Sequence, residues 1–311
     1  MAISASMVKE LREKTGAGMM DCKKALTNTD GDMDKAVEWL RENGLAKAEK
    51  KAGRIAAEGI VKTFISADGK NASMVEVNSE TDFVAKNDKF QDFVGDVVEQ
   101  INGSAAEDVE AFLAEAWAKD SSKTVKEELA SMVATIGENM NIRRFAKLSA
   151  DNGVVVDYIH AGGKIGVLIA AETDNTGDEV VECLKNVAMQ IAAMNPEYLS
   201  ADDVSEEYKE KEKKILLEQA KNDPKNAGKP ENIIEKMIIG RLNKELKEVC
   251  LTEQVYVKAE NKETVAEYVE SVAKAVGCNL KLTGFVRYET GEGLEKKEEN
   301  FAEEVAKQMN A

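Results

Sequence analysis

Residues 76–87, EVNSETDFVAKN, decide how the rest of the chain is read. The apolar–polar alternation through Met74, Val75 and Val77 predicts a strand that runs into the polar turn Asn78-Ser79-Glu80-Thr81. Asp82 and Phe83 then stand side by side. Beyond them Phe90, Phe93, Val94, Val97, Val98 and Ile101 recur at i, i+3, i+4 spacing, which predicts a helix over 88–101. An aromatic at the tip of such a connection is either tucked into the local core or held out for a partner. Burying a Phe is favourable by about 1.5–3 kcal/mol. The pattern alone therefore favours a core Phe83, with Asp82 capping the helix start.

Working outward, 59–65 and 72–77 read as a hairpin about Ala67-Asp68-Gly69-Lys70. Helices are predicted over 88–101, 106–119 and 124–140, and 142–149 as a third strand. A second alternating set, 154–160 and 164–171, is separated by Ala161-Gly162-Gly163 and followed by a helix over 178–194. Segments 254–258 and 279–288 read as strands flanking a helix over 264–276. Strand–strand–helix is thus written twice. This predicts an α+β protein of two related halves, antiparallel sheets with helices to one side.

All three prolines, Pro196, Pro224 and Pro230, fall between those halves, and Pro196 suits a helix start. Two charged helices, 205–221 and 231–249, are predicted there. Val204, Tyr208, Ile215 and Leu216 on one can face Ile234, Met237, Ile238, Leu242 and Leu246 on the other as an antiparallel hairpin, which projects because its remaining faces are polar. After Gly291-Glu292-Gly293 a last amphipathic helix carries Phe301, Val305 and Met309.

At the N-terminus, Ser4 or Ser6 can cap a helix with Met7, Val8 and Leu11 that ends at Gly16-Ala17-Gly18. A second helix carries Met19, Met20, Cys22, Ala25 and Leu26. A third, capped by Asp32, carries Ala36, Val37 and Leu40 and stops at Gly44. Three short helices make a small bundle with little independent stability. Met19 and Met20 are adjacent and cannot both point inward; one is expected in the core, unless the pair forms a soft docking surface. The basic run 47–54, KAEKKAGR, reads as a solvated helix leading onward, not an RNA contact.

With 58 acidic against 42 basic residues the net charge is −16, which disfavours non-specific nucleic-acid binding. No apolar run is long enough to cross a membrane, and MAISAS lacks a signal pattern. Cys22, Cys183, Cys250 and Cys278 lie far apart and read as reduced, mostly buried cytosolic thiols. A cytoplasmic location follows.

No catalytic constellation stands out. The P-loop spacing fails, since Ile165 follows Gly163-Lys164 and Tyr158 occupies the first glycine position. The single histidine, His160, rules out a multi-histidine metal site and reads as a strand-end residue bonded to nearby backbone. A Cys183–His160 nucleophile pair has no supporting motif. No cofactor and no metal are expected.

Residues 11–26 (LREKTGAGMMDCKKAL) and 76–86 (EVNSETDFVAK) resemble the two signature stretches of the bacterial elongation factor Ts family. Residues 160–168 (HAGGKIGVL) and 283–293 (TGFVRYETGEG) are similar to further family segments, in order along essentially the whole chain. The resemblance implies a non-catalytic guanine-nucleotide exchange factor that binds elongation factor Tu, GDP-bound and nucleotide-free, without nucleic acid or membrane. A higher assembly with Tu is left open. The implied architecture is a UBA-like three-helix domain with basic linker (1–54), a core N-subdomain (55–150), a core C-subdomain (151–195 and 251–289), an inserted coiled-coil hairpin (196–250) and a C-terminal module (290–311). It also implies that Thr81, Asp82, Phe83 and Val84 form a wedge entering the G domain near its magnesium. Arg12, Met19, Met20, Lys23 and Lys51, and more weakly Ile136 and Gly137, would contact that domain. His160 would lie near the partner's phosphate-binding loop, and Phe301 would touch the G domain. A small enzyme using Cys183 or a carboxylate, and a scaffold indifferent to nucleotide, are the competing readings.

Overall fold

The computed structural model describes residues 3–223, 226 and 229–295; Phe301 and the tail helix expected around it lie outside the described residues. Three helices open the chain: α1 (Ala5–Thr15), α2 (Met19–Asn28) and α3 (Met33–Lys51). Ser4 caps α1 by accepting from the Met7 amide, and Gly16, in the left-handed region at φ 69°, ends it. Val8, Leu11, Cys22, Ala25, Leu26 and Ala36 close a small core between the helices. Neither methionine joins it. Met19 and Met20 are 59% and 65% exposed, because Cys22, Ala25 and Leu26 already supply the inward stripe of α2.

Gly44 does not stop the third helix. α3 runs on to Lys51 with Gly44 buried inside it. A Cβ there would lie 3.9 Å from both the Ala130 carbonyl oxygen and the Ala134 Cβ, ordinary contact distances, so α3 lies against a core helix with space for one more carbon.

Strands β1 (Glu58–Ile65), β2 (Asn71–Ser79) and β5 (Met140–Ser149) form an antiparallel sheet in the order β1-β2-β5. Between β2 and β5 lie α4 (Asp82–Ala85), α5 (Asp88–Gly103), α6 (Val109–Ala114), the small hairpin β3 (Ala116–Trp117) and β4 (Asp120–Thr124), and α7 (Val125–Ile136). The expected helix over 106–119 is therefore cut to α6. Glu115 turns extended, and the hairpin carries Trp117 into the core, 5.9 Å from the Phe93 ring. α7 likewise ends at left-handed Gly137, so that Met140 opens a strand.

The second sheet, β6 (Gly153–His160), β7 (Ile165–Thr173) and β8 (Leu280–Glu289), is antiparallel in the order β6-β7-β8 and is covered by α8 (Asp178–Met194) and α11 (Val265–Val276). Residues 254–258 form no strand; only Val255 makes a single bridge, to Thr264. Buried Gln190 takes the place of a neighbouring strand, accepting from the Val257 amide at 2.9 Å and donating to the Val255 carbonyl at 3.2 Å.

Pro196 starts no helix. Asn195 is left-handed and ends α8, after which the Glu197 and Tyr198 amides donate to the Val249 carbonyl. α9 (Glu206–Asn222) and α10 (Glu231–Val249) pack on each other through Ala220, Ile238 and Leu242, while Ile215, expected in that seam, is 40% exposed.

Among the described residues each sheet has helices on one face only. On the other face the two sheets meet: Val61, Ala72 and Met74 of the first pack with Val155, Leu168 and Ala170 of the second. Alternation along each strand makes this possible. Ile60 and Val75 face the α5–α7 side while Val61 and Met74 face the opposite sheet. The result is helix, sheet, sheet, helix, a four-layer α+β arrangement. No helix among the described residues is long and apolar enough to cross a membrane.

Candidate functional site

The connection after β2 folds as a knuckle. Thr81 is extended and its hydroxyl accepts from the Val84 amide, so Thr81, not Asp82, caps the four-residue helix α4. Asp82 sits in the first turn and pairs with Lys86 at 2.7 Å; that bond, with the charges of Lys86 and Lys164, holds its carboxyl below the ordinary range. Val84 and Ala85 are buried in the core under β1 and α5. Phe83 is not in the core but 80% exposed. Side chains one residue apart on a helical turn point about 100° apart, so anchoring Val84 inward drives Phe83 outward.

Around the knuckle the structure gathers residues from distant parts of the chain. Lys51, at the end of α3, points its Nζ to 4.0 Å from where a Gly137 Cβ would stand. Burial, with the Arg54 charge behind it, pushes the Lys51 ammonium below its ordinary pKa, while Glu80 and Glu138 pull the other way. Ile136 is partly buried against the α5 core, whereas Gly137 is exposed. Ile55 stands exposed at a hollow of about 400 Å³ lined also by Arg54, Glu80 and Thr81.

His160 ends β6, exposed, and its Nδ1 lies 3.0 Å from the Tyr158 hydroxyl, not from backbone. The following turn, Ala161-Gly162-Gly163, has three successive left-handed residues. Such a turn lets Gly163 approach β1 closely enough for its carbonyl to accept from Val61 N at 2.7 Å, where a Cβ would meet Ile60 at 3.0 Å. Lys164 then pairs with Glu58 and lends its charge to Asp82. The turn bearing His160 and the knuckle bearing Phe83 therefore lie at one end of the stacked sheets. Arg12, Met19, Met20 and Lys23 are each exposed on the three-helix bundle.

Among the described residues no cysteine pairs with His160, whose Nδ1 faces the Tyr158 hydroxyl. Cys183 is buried in α8, and burial pushes its thiol up to about 11, so it is protonated at neutral pH. All four cysteines are free. Among the described residues no group of three or more His, Cys, Asp or Glu could hold a metal ion. What this end of the molecule offers is an exposed aromatic on a firm base, flanked by charges, which suits contact with another protein.

The family model for Elongation factor TS matches residues 80–292, a span that takes in the whole knuckle, and the model for Elongation factor Ts, mitochondrial, N-terminal matches residues 1–49. The chain belongs to the elongation factor Ts family. An Elongation factor Ts of Clostridium novyi is 54% identical over 308 residues, 99% of each chain. One of Clostridium perfringens is 55% identical over 305 residues, 98% of each chain.

Sequence reasoning missed Arg54, Ile55, Glu58, Glu80, Glu138, Asn139 and Lys164, all of which frame the knuckle. A signal was present in the polar Gly137-Glu138-Asn139 between a helix and a strand. It has no period, so nothing in the spacing links it to residues almost sixty positions away.

Proposed function

We propose that the chain is a nucleotide exchange factor for elongation factor Tu, binding its GDP-bound form and promoting GDP release without chemistry of its own. Membership of the elongation factor Ts family supports the partner and the role. The observation that carries the mechanism is the exposure of Phe83 on an anchored knuckle.

In this reading Asp82 and Phe83 act as a wedge that favours a distorted nucleotide site on the partner. GDP is held there by backbone amides at a helix N-terminus and by Mg²⁺. Each tenfold loss of nucleotide affinity requires about 1.4 kcal/mol of binding made only in the distorted state. Covering Phe83 is worth about 1.5–3 kcal/mol, one to two such factors. The coupling is reciprocal, so GTP in turn expels the factor.

Thr81 and Val84 hold the wedge. Lys51, Gly137 and His160 extend the contact at the same end, with Ile136 behind it. Arg12, Met19, Met20 and Lys23 form a second contact through a UBA-like bundle, and Phe301 a third. We assign 1–54 to that bundle and its linker, 55–150 and 151–195 with 251–289 to the two core halves, 196–250 to a coiled-coil hairpin and 290–311 to a terminal module. The protein acts in the cytoplasm and contacts no nucleic acid.

The test is stopped-flow release of a fluorescent GDP analogue from elongation factor Tu. The wild-type chain accelerates release, and Phe83→Ala lowers kcat/KM by roughly 10- to 100-fold. Acceleration by the wild type that Phe83→Ala leaves intact removes the wedge. Binding without any acceleration leaves only a scaffold.

A further inference from the structure

We propose that Glu138 is the positioning residue of the knuckle: its carboxylate takes hold of Thr81 and thereby sets the direction in which Phe83 is presented. The inference rests on the wedge reading above and adds the device that pre-organises it.

The geometry is a fork. Glu138 Oε2 accepts from the Thr81 backbone N–H at 3.0 Å, and Oε1 accepts from the Thr81 hydroxyl at 2.8 Å. The same hydroxyl oxygen faces the Val84 amide, so the carboxylate also orients the cap of α4. The hold is reciprocal. Glu80, beside Thr81, accepts from the Asn139 amide at 2.6 Å, so each connection lends one carboxylate to the other's backbone. Asn139 is buried and donates onward to the Arg54 carbonyl at 2.8 Å, while Arg54 reaches back to Glu80 at 3.4 Å. Lys51 and Arg54 supply the positive charge that lets two carboxylates share this corner.

The clamp complements the burial of Val84 and Ala85, which anchors the middle of α4, by fixing the start of a helix of only four residues. Thr81 lies beyond the last paired residue of β2, Ser79, so no neighbouring strand fixes it. Charge-assisted bonds to both Thr81 donors replace the missing ladder. Phe83 is two residues on. A rigid presentation avoids ordering the loop at the moment of binding, which is where pre-organisation adds affinity.

The experiment compares Glu138→Ala, Glu138→Gln and Thr81→Ser with wild type, alone and combined with Phe83→Ala, in the full chain. Three readouts are taken: thermal unfolding, amide hydrogen exchange of the peptide covering 80–86, and kcat/KM for GDP-analogue release from elongation factor Tu. We expect Glu138→Ala to leave Tm nearly unchanged, to raise exchange across 80–86, and to lower kcat/KM roughly 10-fold. Glu138→Gln keeps one acceptor oxygen and falls between. Thr81→Ser keeps both donors and behaves as wild type. In the Phe83→Ala background Glu138→Ala adds little, because the two act through one ring. Unchanged amide protection in Glu138→Ala overturns the clamp whatever the kinetics. Lost protection with an unchanged rate, or full additivity with Phe83→Ala, overturns its role in function. If Phe83→Ala alone is as active as wild type, the wedge itself has failed and the proposal falls with it, a result separate from the amide readout.

Discussion

Phe83 and Val84 are neighbours with opposite fates, one 80% exposed and the other buried under β1. Their substitutions should separate stability from function. Phe83→Ala is expected to change unfolding free energy by less than about 0.5 kcal/mol, since an exposed ring contributes little to the fold. Val84→Ala should cost about 1–2 kcal/mol, because it removes buried methyl groups. Urea melts of the two variants check both, and a Phe83→Ala loss as large as that of Val84→Ala would mean the ring packs in solution. Periodicity could not assign this residue. Over a four-residue helix no stripe develops, and hydrophobicity alone argues for burial. The motif resemblance implied a ring held out for a partner, and Phe83 is exposed. His160 shows the converse: its position at a strand end was legible, but its partner Tyr158, two residues away on the same face of β6, depends on side-chain reach.

Among the elements, α3 departs most from its sequence signals. A glycine in a helix normally costs about 0.5–1 kcal/mol relative to alanine, which is why Gly44 reads as a stop. Here α3 persists because packing against α7 outweighs propensity, helped by Arg41, which donates to Glu127 on α7 at 3.0 Å and to the Ser122 carbonyl at 2.9 Å. The geometry leaves room for one more carbon, with the nearest atoms at 3.9 Å. Gly44→Ala should therefore stabilise the protein by about 0.5–1 kcal/mol. Gly44→Leu should push α3 off α7 and lower Tm by several degrees, on the usual scale of overpacked sites. Differential scanning calorimetry distinguishes them, and destabilisation by alanine would mean the helices pack tighter than described. Long amphipathic helices such as α5 and α8, and the hairpin of β1 and β2, were legible because an unbroken period runs through them. The segment 254–258 was not, because its alternation is satisfied by the single side chain of Gln190 rather than by a partner strand.

Across the whole molecule the two sheets are joined by an apolar seam and by one buried acid. Glu76 of β2 accepts from Arg143 at 3.0 Å, Arg144 at 2.6 Å, Asn78 at 3.0 Å and the Gly291 amide at 2.8 Å, and Arg144 lies 4.2 Å over the Tyr288 ring of β8. Burial pushes the Glu76 carboxyl up, but the bonds from Gly291, Asn78 and the two arginines outweigh it and hold the folded value below the ordinary 4.5. Its contribution is thus complete above pH 4.5 and is lost as pH falls through the lower folded value. Glu76→Ala should cost about 1–3 kcal/mol near neutral pH, because it leaves the buried Gly291 amide without its acceptor and two half-buried arginines without their acid. Its melting temperature should also fall less steeply than that of wild type between pH 5 and pH 3, by about the share this one group contributes. Parallel curves would remove Glu76 as an acid-sensitive tie. An acid inside an apolar strand marks such a tie only once its partners are known, and one of them, Gly291, comes from the far end of the chain. The feet of the helical hairpin carry a consequence of their own. Glu197, Tyr198 and Leu199 run alongside Val249, Cys250, Leu251 and Thr252, hydrogen-bonded from Glu197 N to Val249 O at 2.8 Å and from Leu251 N to Tyr198 O at 2.9 Å. Chain that leaves and returns through a stitched gateway imposes almost no length requirement on what lies beyond it. The arm can be shortened, extended or exchanged for a foreign domain, since closing a longer loop costs only a fraction of a kcal/mol per doubling. In this molecule the gateway is a natural port for grafting, one that leaves the stacked sheets as they are.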